Sequence, residues 1–404
     1  MTMRTTAGPA ESIYWPNLPV FGGIFCCLLG VGASLATLPF YVVQHFHGSK
    51  VDVGVVVAAI AVAAVVGRPL AGRIADRRGY KIVMIGGAAI CVLAGLGYLV
   101  AANLPELVVA RVINGLGEGT VYSSGAAWLV AMCPPARRGQ VVGLYGVHMW
   151  LGITLGAFLG TVLMRVSGFT AVWLSCAVLA AIGLVLVLLK DSPGLPGRPG
   201  SRITLQSFFP VSTLVPGAAL ALSALGYAAL AAFVALDMAA HGVGNGIAAL
   251  NAFGVAYVGV RLVIGHLPDR LGPHRVALWS ALVEAAGLVL IAAAHDLVVV
   301  IIGGLVTGIG LSLLFPALAL LVINRTDSSR QGAALGAFAS FWDIGVAIGG
   351  PIAGVIASLA NYPAIFLVMA ACAVISAALS LSGTRRARPA ASTAQPAQRN
   401  SRST

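Results

Sequence analysis

Apolar residues run along the chain in long stretches broken by short polar turns. Twelve such stretches, roughly 18 to 28 residues each, lie between residues 18 and 382, and each is long enough to carry a helix across a bilayer. Six fall within 18–189 and six within 210–382, separated at 190–209 by a segment containing Gly, Pro and Ser. The spacing predicts an all-α integral membrane protein: an N-terminal six-helix bundle, a flexible linker and a C-terminal six-helix bundle. Residues 1–17 and 383–404 are polar or rich in Ala, Ser, Thr, Pro and Arg, and read as cytoplasmic tails. The first apolar stretch is too long for a signal-peptide core and reads as a retained helix.

The polar turns repeat. Gly72-Arg73-Ile74-Ala75-Asp76-Arg77-Arg78-Gly79-Tyr80-Lys81 follows the second stretch, and the frame G-x-x-x-D-R-x-G returns 193 positions later at Gly265, Asp269, Arg270 and Gly272. The same offset pairs Arg68 with Arg261, Gly115 and Gly117 with Gly308 and Gly310, Arg137 with Arg330, and Gly152 and Gly156 with Gly345 and Gly349. One register kept over about ninety residues is the mark of a duplicated unit, so the two halves are expected to be pseudo-symmetric.

Composition supports the membrane reading and constrains its topology. The chain is 59% hydrophobic and 9% charged, against about 25% charged in soluble domains. Its net charge of +12 would suit nucleic acid, but the placement argues otherwise. With both termini inside, nineteen of the 24 Lys and Arg residues fall in tails and inward loops; Lys50 and Arg165 face outward, and Arg68, Arg111 and Arg261 lie within helices. That asymmetry orients a membrane protein and excludes a nucleic-acid partner. Arg385, Arg386 and Arg388 after the last stretch could also touch anionic lipid. The six cysteines lie in or at the ends of apolar stretches without metal-ligand spacing, and read as small hydrophobes. His45 and His47 in the first outer loop read as solvated, not as a metal pair.

Charges inside the apolar stretches are the candidate chemistry, because a buried charge in lipid is costly and normally faces a cavity or a partner. In the fourth stretch Arg111 and Glu118 are seven residues apart, on one helix face and two turns apart. They are too distant to pair directly, so each needs another partner or water. Asp343, beside Trp342 in the eleventh stretch, sits near mid-membrane and is the first candidate for an acid that binds and releases protons; Glu118 is the second. The alternative for Asp343 is a static hydrogen-bond network, and for Arg111 a structural role on backbone carbonyls. His148 is either a proton carrier or a packing histidine, Glu284 a packing or interhelical pair, and Asp237 a solvated acid near an outer helix end. Arg261, like Arg68, is placed near the inner face, where a long side chain can snorkel. The aromatic residues Tyr122, Trp128, Trp150, Phe315 and Trp342 are candidates to line a loosely binding apolar cavity. No P-loop, nucleophile elbow, H-E-x-x-H or paired-cysteine motif is present, so no enzyme, cofactor or metal centre is expected.

The charged turn resembles motif A of the major facilitator superfamily, roughly G-x-L-a-D-r-x-G-r-k. It matches at Gly72, Asp76, Arg77, Gly79 and Lys81, with Ile74 in place of Leu and Tyr80 where a base is common; the second copy departs further, with Pro268 before the Asp. Arg111-Val112-Ile113-Asn114-Gly115-Leu116-Gly117 resembles motif B, R-x-x-x-G-x-G. Gly152, Gly156 and Gly160 resemble motif C of the antiporter branch, with Ala157 in place of its Pro, and the fuller version falls at Gly349-Gly350-Pro351.

The resemblance implies the fold of that family: twelve helices in two halves around a midplane cavity, lined by helices one, four, seven and ten, with two, five, eight and eleven flanking it and three, six, nine and twelve outside. It also implies that Asp76, Arg77, Asp269 and Arg270 clamp the helix ends in one alternating state, and that Arg111 serves proton movement. The expected function is proton-coupled export of a small amphipathic drug or metabolite, by antiport across a bacterial inner membrane. The alternatives are a proton symporter importing a sugar or organic acid, whose carboxylate Arg111 would pair, and a non-transporting receptor or scaffold. The expected partners are the lipid bilayer, a small-molecule substrate and protons, with no obligate protein partner.

Overall fold

The computed structural model describes residues 14–134, 137–191, 210–326 and 331–381, excepting a few side chains within these ranges, that of Asp76 among them. The expected linker and C-terminal tail therefore lie almost entirely outside the described residues, as do residues 1–13 and Arg330. Every described element is helical. In chain order they are α1 (Tyr14–His45), α2 (Lys50–Arg78), α3 (Tyr80–Val100) and α4 (Leu104–Ala131). The continuous element Arg138–Leu189 follows, broken at Gly168, whose φ of 77° and ψ of −176° are non-helical. Its two arms, 138–167 and 169–189, are α5 and α6. The second half comprises α7 (Val211–Ala240), α8 (Ala248–Ile264), a short α9 (Leu267–Leu271), α10 (Pro273–Ala292), α11 (Leu297–Ile323), α12 (Gln331–Leu359) and α13 (Tyr362–Leu381).

Nine described helices are long and apolar enough to cross a bilayer. The break at Gly168 divides one of them into two spans. The remaining two spans are α4, whose stretch carries Arg111 and Glu118, and the 17-residue α8. The twelve expected spans are thus α1 to α8 and α10 to α13. One boundary moves at the first span, where helix begins at Tyr14 and Asn17 is buried, so the last residues assigned to the tail belong to α1.

The helix ends follow local chemistry. Ser49 and Asp52 form a reciprocal capping box at the start of α2, Ser49 N–H donating to Asp52 Oδ2 at 2.7 Å. Asn103 and Asp296 cap α4 and α11 more simply, their side-chain oxygens accepting from the N–H of Glu106 and of Val298 and Val299. The duplication is visible in the backbone: Gly79 has φ 92°, ψ 147° and Gly272 has φ 87°, ψ 140°, a left-handed turn that favours glycine. The other two motif glycines do not share it, since Gly72 lies inside α2 and Gly265 has φ −57°.

Small residues set the packing inside each half. A Cβ on Gly152, Gly156 or Gly160 of α5 would meet the carbonyl oxygens of Phe25, Leu29 and Ala33 in turn, so α5 and α1 lie backbone to backbone. In the second half Gly345 and Gly349 of α12 meet Ala221 and Leu225 of α7. α3, α6, α10 and α13 are peripheral, each exposing apolar side chains such as Leu93, Val178, Val289 and Val374 to the bilayer. The halves meet along α2 with α12 and α5 with α8. Their contact is tightest at the end opposite the charged turns, here called the far end, where Gly54 and Gly350 approach through their backbones. There Lys50 Nζ donates to Ala357 O at 2.8 Å, and Arg165 bonds Asn245. Both far-end cations thus reach from the first half to the second.

Candidate functional site

Between the halves, at mid-depth, lies a cavity of about 90 Å³ bordered by α1, α2, α4, α5, α7 and α12. Its wall is apolar, with Leu28, Val31, Ile60 and Val346, except for Arg111, Glu118, Tyr227 and Trp342. The three expected lining spans α1, α4 and α7 contribute, and α2, α5 and α12 join them. α11, the tenth span, contributes no residue to this wall.

The polar centre beside the cavity is built on Arg68 of α2. Its Nη2 lies 3.1 Å from Asp343 Oδ1 of α12 and 3.5 Å from Glu118 Oε1 of α4, and its guanidinium lies 4.2 Å from the centroid of the Tyr122 ring, within cation–π range. One cation from the first half therefore holds one acid of its own half and one of the other. Arg68 Nε and Asp343 Oδ2 have no hydrogen-bond partner among the described residues. The two candidate coupling acids are thus brought together through a residue that the sequence pattern marked only as the repeat of Arg261 at the inner face. Arg68 is drawn inward by these carboxylates, whereas Arg261 pairs with Tyr257 OH at 3.3 Å.

Arg111 is separate from that centre. It is 0% exposed, its Nε donates to Val56 O at 3.2 Å, and its Nη1 donates to Ser34 Oγ and Tyr98 OH at 3.3 Å each. These bonds tie α4 to α1, α2 and α3. Its Nη2 has no partner among the described residues.

The five candidate aromatics are scattered. Trp342 lines the cavity. Trp150 of α5 inserts into a socket of the second half, with ring centroids 4.0 Å from Tyr257, 5.8 Å from Tyr227 and 6.0 Å from Trp342. Tyr122 lies beneath Arg68 and not in the cavity wall. Trp128 is fully buried in the core of the first half, and Phe315 packs on Phe338 at 5.2 Å; neither faces the cavity, since tight helix packing turns them away from it.

Other embedded polar groups resolve individually. Asp237, expected to be solvated, is 0% exposed, because α7 runs past it to Ala240 and His241 folds back with Nδ1 3.3 Å from its Oδ1. Glu284 is buried against Gly226 and Gly310 and has no ion-pair partner among the described residues. His148 is packed: its Nδ1 donates to Leu144 O at 2.8 Å, and its Nε2 lies 3.2 Å from Tyr14 OH. At the charged turns Arg77, Asp269 and Arg270 are exposed, Lys81 Nζ donates to Leu188 O at 3.0 Å, and the Asp76 side chain lies outside the described residues.

Comparison with known proteins places this geometry. The family model described as Major Facilitator Superfamily matches residues 20–238 and again 216–404. An MFS-type transporter of Salmonella typhimurium is 33% identical over 387 residues, covering 92% of this chain and 98% of its own. The MFS-type transporter YhhS of Escherichia coli is 33% identical over 374 residues, covering 90% and 91%. Among solved structures, the human organic anion transporter MFSD10 superposes with a TM-score of 0.73 at 17% identity, over 92% of this chain and all of that one. The nucleoside transporter NupG gives 0.69 at 16%, over 90% and 98%. Two six-helix halves related by a 193-residue repeat, a polar centre at the seam between them and full-length relatives of one kind lead to one conclusion: the chain is a multi-pass membrane transporter, not an enzyme, and belongs to the major facilitator superfamily.

Proposed function

We propose that this transporter exports a small amphipathic drug or metabolite in exchange for protons, by alternating access, from a bacterial inner membrane with both termini in the cytoplasm. The observation that carries the reading is the Arg68 guanidinium shared between Glu118 of its own half and Asp343 of the other. A proton taken up by Asp343 removes the charge that ties Arg68 across the seam, and leaves Arg68 with Glu118. The halves can then rock apart on one side, and loss of the proton on the other side restores the tie. The apolar wall with Trp342 and Tyr227 suits an amphipathic substrate, but about 90 Å³ is well below the roughly 300–1,000 Å³ of drug-sized sites. Substrate therefore binds in a conformation with the halves further apart. The motif-A residues Asp76, Arg77, Asp269 and Arg270 would clamp the opposite state.

The test is accumulation of a fluorescent cationic dye in efflux-deficient cells. Wild type should lower accumulation, while Asp343→Asn, Arg68→Gln or a protonophore should each restore it to the level of cells lacking the protein. Equal accumulation in all of them would refute export of such cations.

One observation favours the second reading, a proton symporter of an organic acid or sugar. Arg111 lines the cavity and its Nη2 has no partner among the described residues, which suits a substrate carboxylate. Proton-driven uptake of a labelled organic acid, lost in Arg111→Gln, would select it. Binding without flux in either direction would indicate a receptor.

A further inference from the structure

The larger cavity is not between the halves. About 360 Å³ lies on the outside of the second half, at the end that carries the charged turns, between α9, the first turns of α10 and α11. Leu271, Val276, Ile309 and Leu313 form apolar walls, Arg275 stands in the first turn of α10, and Trp279 follows one turn later on the same face. Trp279 is 65% exposed, and Leu271 and Ile309 are also open to the outside, so the groove faces the bilayer. Its depth is that of the headgroups, where Trp and Arg side chains anchor. Arg275 is exposed and enters no ion pair among the described residues. His274 beside it turns away to Ser380 O at 2.7 Å.

The groove also breaks the duplication. At the 193-residue offset Ile82 stands where Arg275 is, and Gly86 where Trp279 is. The counterpart of the detached α9 is simply the last turns of the continuous α2. At the adjoining turn the repeat holds down to the φ of Gly79 and Gly272, whereas this peripheral face of the second half has no counterpart in the first.

We infer that the groove holds one anionic glycerophospholipid. Its acyl chains lie along Leu271, Ile309 and Leu313, and its phosphate is held by the Arg275 guanidinium, whose planar fork matches two phosphate oxygens. Trp279 packs at the glycerol level. An apolar groove open to the bilayer fills with acyl chain in any case; the rim cation is what selects the headgroup. A basic side chain at the surface of an anionic leaflet favours the charged lipid by about fivefold.

The experiment is native mass spectrometry of the full-length protein in detergent after exchange with vesicles of phosphatidylglycerol or of phosphatidylcholine with matched acyl chains. Glycerol phosphate, added alone, tests for a free-anion site. Wild type should retain phosphatidylglycerol over phosphatidylcholine. Arg275→Gln should lower phosphatidylglycerol retention about fivefold without changing phosphatidylcholine. Trp279→Ala should lower both, and Arg78→Gln, a basic residue of the other charged turn, should change neither. All three side chains are exposed, so the variants keep the fold. Equal retention of the two lipids by wild type, unchanged retention in Arg275→Gln, or glycerol phosphate binding as well as the intact lipid would each overturn the inference.

Discussion

Arg68 carries one positive charge against two carboxylates, so the cluster with Glu118 and Asp343 has a net charge of −1 when both acids are ionised and zero after taking up one proton. A net charge buried at the seam is costly, and a group of this composition suits the exchange of single protons. Removing Arg68 alone strands two buried acids. Arg68→Ala should therefore lower stability by about 3–5 kcal/mol, and the double variant Arg68→Ala, Asp343→Ala should recover part of that loss, as read by denaturant melts analysed as a double-mutant cycle. Additive losses would mean the two residues are not coupled. Arg111, bonded to Val56 O, Ser34 and Tyr98, should behave differently: Arg111→Ala should lower stability whether or not Asp343 is present. Both acids were legible in the sequence as costly charges inside apolar stretches, but their partner was not. Arg68 lies 50 and 275 positions away from them, and a pattern of residues shows a charge's depth but not the helix it faces. Depth was the available signal: Arg68 is ten residues from the end of α2, Asp343 twelve from the start of α12 and Glu118 thirteen from the end of α4, all measured from the same side.

At the level of helices, glycine spacing was readable and its partners were not. The run Gly152, Gly156, Gly160 marks a close face, but only the structure shows α1 against it, while Gly350, in a similar run, contacts Gly54 of the other half. These two contacts have different consequences. Gly156→Val should force α1 from α5 within one half, at roughly 1–3 kcal/mol of overpacking, and lower the melting temperature. Gly350→Val should keep a normally folded protein but hold the far end open, giving wild-type expression and melting with little transport. A melting temperature lowered as much by Gly350→Val as by Gly156→Val would contradict that distinction. Asp237 shows the other limit of reading by segment. The sequence places the end of its stretch at 236, yet α7 continues for another turn and buries the acid against His241, because a helix stops where its caps and neighbours stop it and not where hydropathy falls.

For the molecule as a whole, the apolar stretches and the duplication made the two halves and the twelve spans legible, since a 193-residue register constrains both copies at once. What it hid is where the copies differ: the acids Glu118 and Asp343 have Leu311 and Trp150 at the corresponding positions, and the lipid-facing groove has no twin. The far end offers a direct handle on the motion itself. Only three lysines occur in the chain, and of these Lys50 alone lies at the far end, its amine engaged with Ala357 O and lying 4.6 Å from the Tyr362 ring centroid. While the halves stay joined there, that amine is a poor nucleophile toward reagents in the medium; each opening frees it. A membrane-impermeant acylating reagent applied to intact cells should therefore modify Lys50 slowly in wild type and several times faster in Gly350→Val, whereas equal rates would show that the amine does not follow the opening. With the far end on the outside, as proposed, the acylated fraction of the population, at most one group per molecule, would then report how often the far end opens, without any introduced cysteine or dye.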